Sequence, residues 1–154
     1  MRVGEAVETS TAAGDSSEQR RVEMLMLTLL QQKLGITLAP RRLHSPDGAF
    51  IDVDGVATNN SVLVECWAHQ GTAKVAQKYK LVNDAAKLQW AATWLSPRPA
   101  GLFLCVSDEA AVKHLRGTSW QGAAIRQMGV CLEVVQLQDD DVLALVEAQR
   151  RQFR

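Results

Sequence analysis

The sequence predicts an α/β protein, a mixed β-sheet with helices on both faces. Three observations lead there. Apolar residues switch between helical and strand spacing along the chain. Two strand-like runs flank the turn-like "ATNNS" at residues 57–61, which makes them an antiparallel hairpin. The later strands, in "AGLFLCVSD" and "GVCLEVVQL", follow helical segments, so they enter the sheet by crossovers.

The chain has 154 residues, which suits a single domain with a real core. Residues 1–17, rich in small polar side chains ("TSTAAGDSS"), are expected to be a mobile tail, and 18–154 one domain. Ser16 or Ser17 is placed to cap a helix that carries Val22, Leu25, Met26, Leu29 and Leu30 and stops at Gly35. "APRRLHSPDG" is loop-like, punctuated by Pro40, Pro46 and Gly48. Strands follow at 49–56 and 61–67, then a long helix over about 73–95, stopped by "SPRP". "AGLFLCVSD" suits a buried central strand. "DEAAVKHLRG" is a helix with acids first and bases last, which complements its dipole. A helix at 119–128, a strand in "GVCLEVVQL" and a C-terminal helix "DDDVLALVEAQRRQF" complete the chain.

Apolar residues make up 47% and charged residues 22%, ordinary for a globular protein. No apolar run approaches the ~18 residues of a membrane span. The N-terminal segment has no apolar signal core, so no secretion signal is expected. Cys66, Cys105 and Cys131 lie in apolar segments without metal-ligand spacing. They are expected to be reduced core residues of a cytoplasmic protein. Net charge is zero, but residues 66–126 carry eight bases against three acids, enough for one cationic face or simply a solvated helix surface.

The chemistry concentrates in "IDVDGVATNNSVLVECWA". Alternation puts Asp52 and Asp54 on one face of the first strand, and Leu63, Glu65 and Trp67 on one face of the second. Hairpin pairing brings Asp54 beside Glu65. Two carboxylates that close repel unless a cation lies between them, and oxygen donors favour Mg²⁺ or Mn²⁺. On the following helix Gln77, Lys80, Asp84 and Lys87 form one polar stripe. A lysine there can orient a water or neutralise a phosphate, and Lys80–Asp84 is equally a plain ion pair.

An acid, a hairpin and an apolar strand carrying a second acid resemble the PD-(D/E)XK nuclease superfamily, with its restriction-endonuclease-like α-β-β-β-α-β core. The likeness spans residues 18–137. It implies that Asp54 is the metal-binding aspartate, with Asp52 and then Asp47 as alternatives, and that Glu65 is the acid of the E-x-K element. The lysine of that element would fall at residue 67, which is Trp67. In some branches the following helix supplies this group, which points to Lys80 with Gln77. The segment "AQKYK" is loosely similar to the helical Q-x-x-x-Y element of exonuclease-type members, although Tyr79 follows Gln77 by two residues only. Many members carry a glutamate on the first helix, here Glu23 or else Glu18. The run "VLVECWAHQGTAKVAQKYKLVNDAAKL" is similar to a bacterial group assigned to this superfamily.

The resemblance implies a Mg²⁺- or Mn²⁺-dependent endo- or exodeoxyribonuclease acting on DNA. Lys74, Lys78, Lys87 and His69 would meet the nucleic-acid backbone. The alternative is a catalytically inactive module of the same fold that binds nucleic acid or protein, suggested by Trp67 and the zero net charge. Plainer roles stand beside each residue. Asp54-Gly55 is also a turn signal, and His69 suits a hydrogen-bonded loop. The four tryptophans suit core or interface. Trp90, Trp94 and the alanines of the second helix suggest burial against a twin subunit, so the protein is expected to be a homodimer or part of a larger complex. No Walker A, GxGxxG or GxSxG motif is present.

Overall fold

A computed structural model describes the backbone of residues 2–152 and the side chains of residues 16–152. Ten elements follow in the order α1 (Arg2–Leu34), β1 (Leu38–His44), β2 (Phe50–Ala57), β3 (Val62–Trp67), α2 (Val75–Trp94), β4 (Gly101–Val106), α3 (Glu109–Arg116), α4 (Trp120–Gln127), β5 (Val130–Val134) and α5 (Asp139–Gln152). One five-stranded sheet runs β1-β2-β3-β4-β5 in chain order. β1, β2 and β3 are antiparallel neighbours, and β3, β4 and β5 are parallel. The mixed α/β architecture read from the sequence is the one observed.

Two apolar layers cover the sheet. β4 shows why: Leu102, Leu104 and Val106 face one core, while Phe103 and Cys105 face the other. The first core holds Leu81, Ala85, Leu88, Ala91 and Ala92 of α2 with residues of α3 and α4. The second holds Val22, Met26 and Leu30 of α1, spaced four apart so that they share one stripe, with Leu145 of α5. Among the described residues no helix is long and apolar enough to cross a membrane.

The termini of the helices follow local chemistry. Gly35 adopts a positive φ of 69° and donates to Gln31 O at 2.8 Å, closing α1. Asp108 accepts from Ala110 N at 3.1 Å and Ser119 Oγ from Gly122 N at 3.1 Å, so each caps its helix.

Three local expectations change. α1 begins at Arg2, ahead of the cap expected at Ser16 or Ser17. "APRRLH" is not a loop but most of β1. Pro40 misled because it lacks an N–H, yet it sits on an edge strand at the one irregularity of the β1–β2 register, where proline is tolerated. Cys131 is exposed, whereas Cys66 and Cys105 are buried.

That irregularity is a β-bulge. Ala39 pairs with Val56 and Arg41 with Val53, so Asp54 and Gly55 together face Pro40 alone. Gly55 also lets α1 approach, since a Cβ there would lie 2.4 Å from Leu27 Cδ1. Gly55→Val is therefore expected to destabilise the protein by about 1–3 kcal/mol in urea unfolding, through overpacking against α1. A midpoint equal to wild type would mean that α1 does not need this contact.

Candidate functional site

The site forms where the hairpin parts. β2 and β3 pair only at Gly55–Val64 and Val56–Leu63. The next positions in register are Asp54 and Glu65, and there a side chain replaces the ladder. Cys66 N donates to Asp54 Oδ2 at 2.8 Å. Two residues on, Ala68 N donates to Glu23 Oε2 of α1 at 3.2 Å. Alternate N–H groups share one strand edge, so two carboxylates take over the bonding that β2 abandons.

Glu65 points to the opposite face, toward α2, and is only 5% exposed. Its Oε1 is in ion-pair contact with Lys87 Nζ but makes no regular hydrogen bond. The Asp54 carboxyl is close enough to share a hydrogen bond with a protonated Glu65. Burial, then Asp54, pushes Glu65 up to about 8, and Lys87 offsets only part of this. Burial likewise raises Glu23 to about 7, reinforced by the charge of Asp54 and opposed by the Ala68 bond and Lys80.

Lys80 Nζ bonds Asp84 Oδ2 at 2.7 Å. Burial works against its charge, but Asp84, Glu23 and Glu65 together hold its pKa above the ordinary value. Four carboxylates (Glu23, Asp54, Glu65, Asp84) thus meet two ammonium groups, Lys80 and Lys87. They outnumber the cations even when Arg20, exposed on the rim of the adjoining cavity, is counted. That cavity, about 170 Å³, is lined by Glu23, Asp54, Cys66 and Pro40 among others, so the carboxylates of Asp54 and Glu23 border open space.

Of the residues singled out in the sequence, the structure brings Glu23, Asp54, Glu65, Lys80 and Lys87 together. Others are engaged elsewhere. Asp52 is bound by Arg42 through Nε–Oδ1 at 2.8 Å and Nη2–Oδ2 at 3.1 Å on the exposed outer hairpin. Asp47 closes a turn with the Ser45 hydroxyl, and Glu18 pairs with Arg21 at 2.6 Å. Gln77 Oε1 accepts from Lys74 N at 2.8 Å, a helix-capping role that holds it away from the acids. His69 is buried, its ring stacked on Trp67 at 4.5 Å and its backbone N–H donating to Ser107 Oγ at 3.0 Å, so it is packed into its loop. Lys74 lines a separate cavity of about 620 Å³ with Gln70 and Arg150. Lys78 lies near His114.

Lys87 was read as a backbone contact, yet it is the lysine that touches Glu65. The signal was present in the stripe of Gln77, Lys80, Asp84 and Lys87, but spacing alone does not say which member lies opposite Glu65. Residue 67 cannot fill that role, because Trp67 is a core residue beneath α2.

Among the described residues, no three His, Cys, Asp or Glu side chains form a ready-made metal cage. Asp54 and Glu65 are an adjacent carboxylate pair, one buried oxygen of which meets Lys87 alone, and hard divalent cations are held by one or two carboxylates completed by water and phosphate. Comparison with family models, curated proteins and solved structures gave no match.

The raised carboxyl pKa values set a pH dependence of stability. In the fold, Glu65 keeps its proton to about pH 8, whereas its ordinary value is 4.5. The native state therefore binds the extra proton in that window, and stability falls as pH rises through it. Burial lowers the pKa of His69 and His114, which acts in the opposite sense, mainly below about pH 6.5. Thermal melts in metal-free buffer from about pH 6.5 to 8.5 should show a steeper fall for wild type than for Glu65→Gln. Parallel curves would mean that Glu65 titrates normally.

Proposed function

We propose that the protein is a metal-dependent nuclease with a restriction-endonuclease-like core, hydrolysing DNA phosphodiester bonds. The observation that supports this is the meeting of Asp54, Glu65 and Glu23 with Lys87 and Lys80 at the parting of the hairpin. Burial and mutual repulsion leave Glu65 protonated to about pH 8, and Mg²⁺ or Mn²⁺ on Asp54 and Glu65 would take the place of that proton and supply the positive charge. When bound, such an ion supplies a Lewis acid for a phosphoryl oxygen and a more acidic water. Asp54 and Glu65 fix the ligand geometry. Lys87 holds the Glu65 carboxyl in place, whereas the resemblance points to Lys80 with Gln77 for the lysine of E-x-K. Lys80, steadied by Asp84, offers its ammonium to the phosphate, and Glu23 orders the end of β3 through Ala68 N.

A second reading has its own observation. Asp54 and Glu23 each satisfy a backbone N–H, and Glu65 is sealed against Lys87, so the same groups can stabilise the parted strands without chemistry. The protein would then be a silent binding module.

Single-stranded, linear duplex and supercoiled DNA, incubated with Mg²⁺ or Mn²⁺, decide between the two. Cleavage that disappears in Glu65→Gln supports the nuclease, and cleavage by neither protein supports the module. Lys87→Ala should slow cleavage by about 10- to 100-fold, as expected for a group acting on a ligand from behind. Gln77→Ala should leave the rate unchanged, because that side chain only caps α2. A large loss there would return Gln77 to the site.

A further inference from the structure

The cavity beside Asp54 carries one group that the carboxylate site does not use. Arg20 lines its rim, about 4.5 Å along α1 from Glu23, with Leu27 and Pro40 as apolar wall. Three arginines stand around Asp54, because Arg41 and Arg42 line a second cavity that reaches the same carboxylate. Two of the three are fixed. Arg41 donates to Asn60 Oδ1 and, at 2.8 Å, to Ala57 O, and Arg42 is held by Asp52. Arg20 is exposed and, among the described residues, meets no acceptor or acid. The Glu23 carboxyl is turned instead to Ala68 N, Asp54, Lys80 and Gln19. An arginine that leaves a carboxyl one turn away unpaired keeps its guanidinium free for a ligand.

The cavity limits what that ligand is. Its volume is about 170 Å³. At ~30 Å³ for each water, it takes roughly five waters or a group of about as many heavy atoms. A phosphate group fits, and a nucleoside is too large. The occupant must also present negative charge to Arg20 and positive charge to Asp54. A phosphate carrying a divalent cation does both, since the guanidinium fork matches two phosphate oxygens and the cation meets the carboxylate. An amino-acid zwitterion fits the charges but not the donors. Its ammonium needs several acceptors, whereas Asp54 Oδ2 and Glu23 Oε2 already accept from Cys66 N and Ala68 N, and the side chains of Leu27 and Pro40 offer none.

We propose that Arg20 holds a phosphate of the substrate in the cavity beside Asp54, on the α1 side of the site and across from the lysines of α2. The inference rests on the nuclease reading for the phosphate's belonging to DNA, and it deepens that reading by adding a phosphate-binding residue from α1.

The test is phosphate binding, which needs no cleavage. Inorganic phosphate is titrated into the protein by isothermal titration calorimetry, in Mg²⁺ and in chelator. Wild type should bind in Mg²⁺ and more weakly in chelator, where Asp54 repels the anion. Arg20→Ala should weaken binding in Mg²⁺ by roughly 10- to 100-fold, the range for losing hydrogen bonds to a charged group. Arg20→Lys should recover part of the loss, because an ammonium keeps the charge without the fork. Arg42→Ala should bind as wild type does. Arg20 has no partner in the fold to lose, so its variants should melt with wild type, which a thermal scan checks. Arg20→Ala binding equal to wild type, or equal affinity in Mg²⁺ and chelator, would overturn the assignment. Glycine binding that depends on Arg20, with no phosphate binding, would give the cavity to an amino acid and also overturn it. Arg20-dependent phosphate binding in a protein that cleaves no DNA removes the nuclease reading and leaves the phosphate site. Glu65-dependent cleavage and phosphate binding both unchanged in Arg20→Ala remove only this inference.

Discussion

The structure turns on the unpaired edge of β3 beyond Val64. Once β2 bends away at its bulge, Cys66 N and Ala68 N need acceptors in a nearly dry place, and leaving each unmet would cost about 1–3 kcal/mol. Neutral side chains would suffice for hydrogen bonding. The chain uses carboxylates, Asp54 and Glu23, which bond N–H groups more strongly but also repel one another and Glu65. A repair of the backbone has become a crowding of acids. Two of them, Glu23 and Glu65, hold their protons up to about pH 7 and 8 instead of taking full charge, and that is what gives the site its chemical interest.

Each neighbouring element is arranged around that edge. The absent side chain of Gly55 lets α1 settle against the bulge, and Leu27 of that contact lies one turn from Glu23. α5 packs beside α1 on the same face and is tied to it by Arg21–Asp141 at 3.0 Å. On the opposite face α2 lays its alanines and leucines against β3 and β4, which carries Lys87 over Glu65. The α1 face thus supplies Glu23 to the gap, and the α2 face supplies both lysines together with Glu65 and Asp84.

Much of this was legible in the sequence, and the exceptions have physical reasons. Period-two alternation placed Asp54 beside Glu65, because a hairpin with a short turn has little freedom of register. The resemblance alone pointed to Glu23, with Glu18 as its alternative, and Glu18 is the one that pairs with Arg21 instead. β1 was obscured by Pro40, Arg41 and Arg42, residues that an edge strand accepts and a central strand would not. Gln77 looked catalytic because it shares a stripe with Lys80, but the first turn of a helix has N–H groups to satisfy, and that local demand took its side chain. The choice of Lys87 over Lys80 depends on how far α2 has travelled back along the sheet, about 10 Å over seven residues, and spacing within one helix carries no information about that offset.

The bulge and Pro40 reach beyond the site in one respect. β1 is the outermost strand, so its far side presents backbone groups to any extended chain that drifts past. Pro40 has no hydrogen to offer such a visitor. Arg42 is locked to Asp52 and spread over Phe50 at 4.1 Å, which places charge along the margin. The kink at Asp54–Gly55 breaks the straight run that a foreign strand would follow. The sheet therefore closes itself to growth at the end where its strands are most loosely joined, and the deformation that creates the carboxylate cluster also guards the protein against adhering to its own kind.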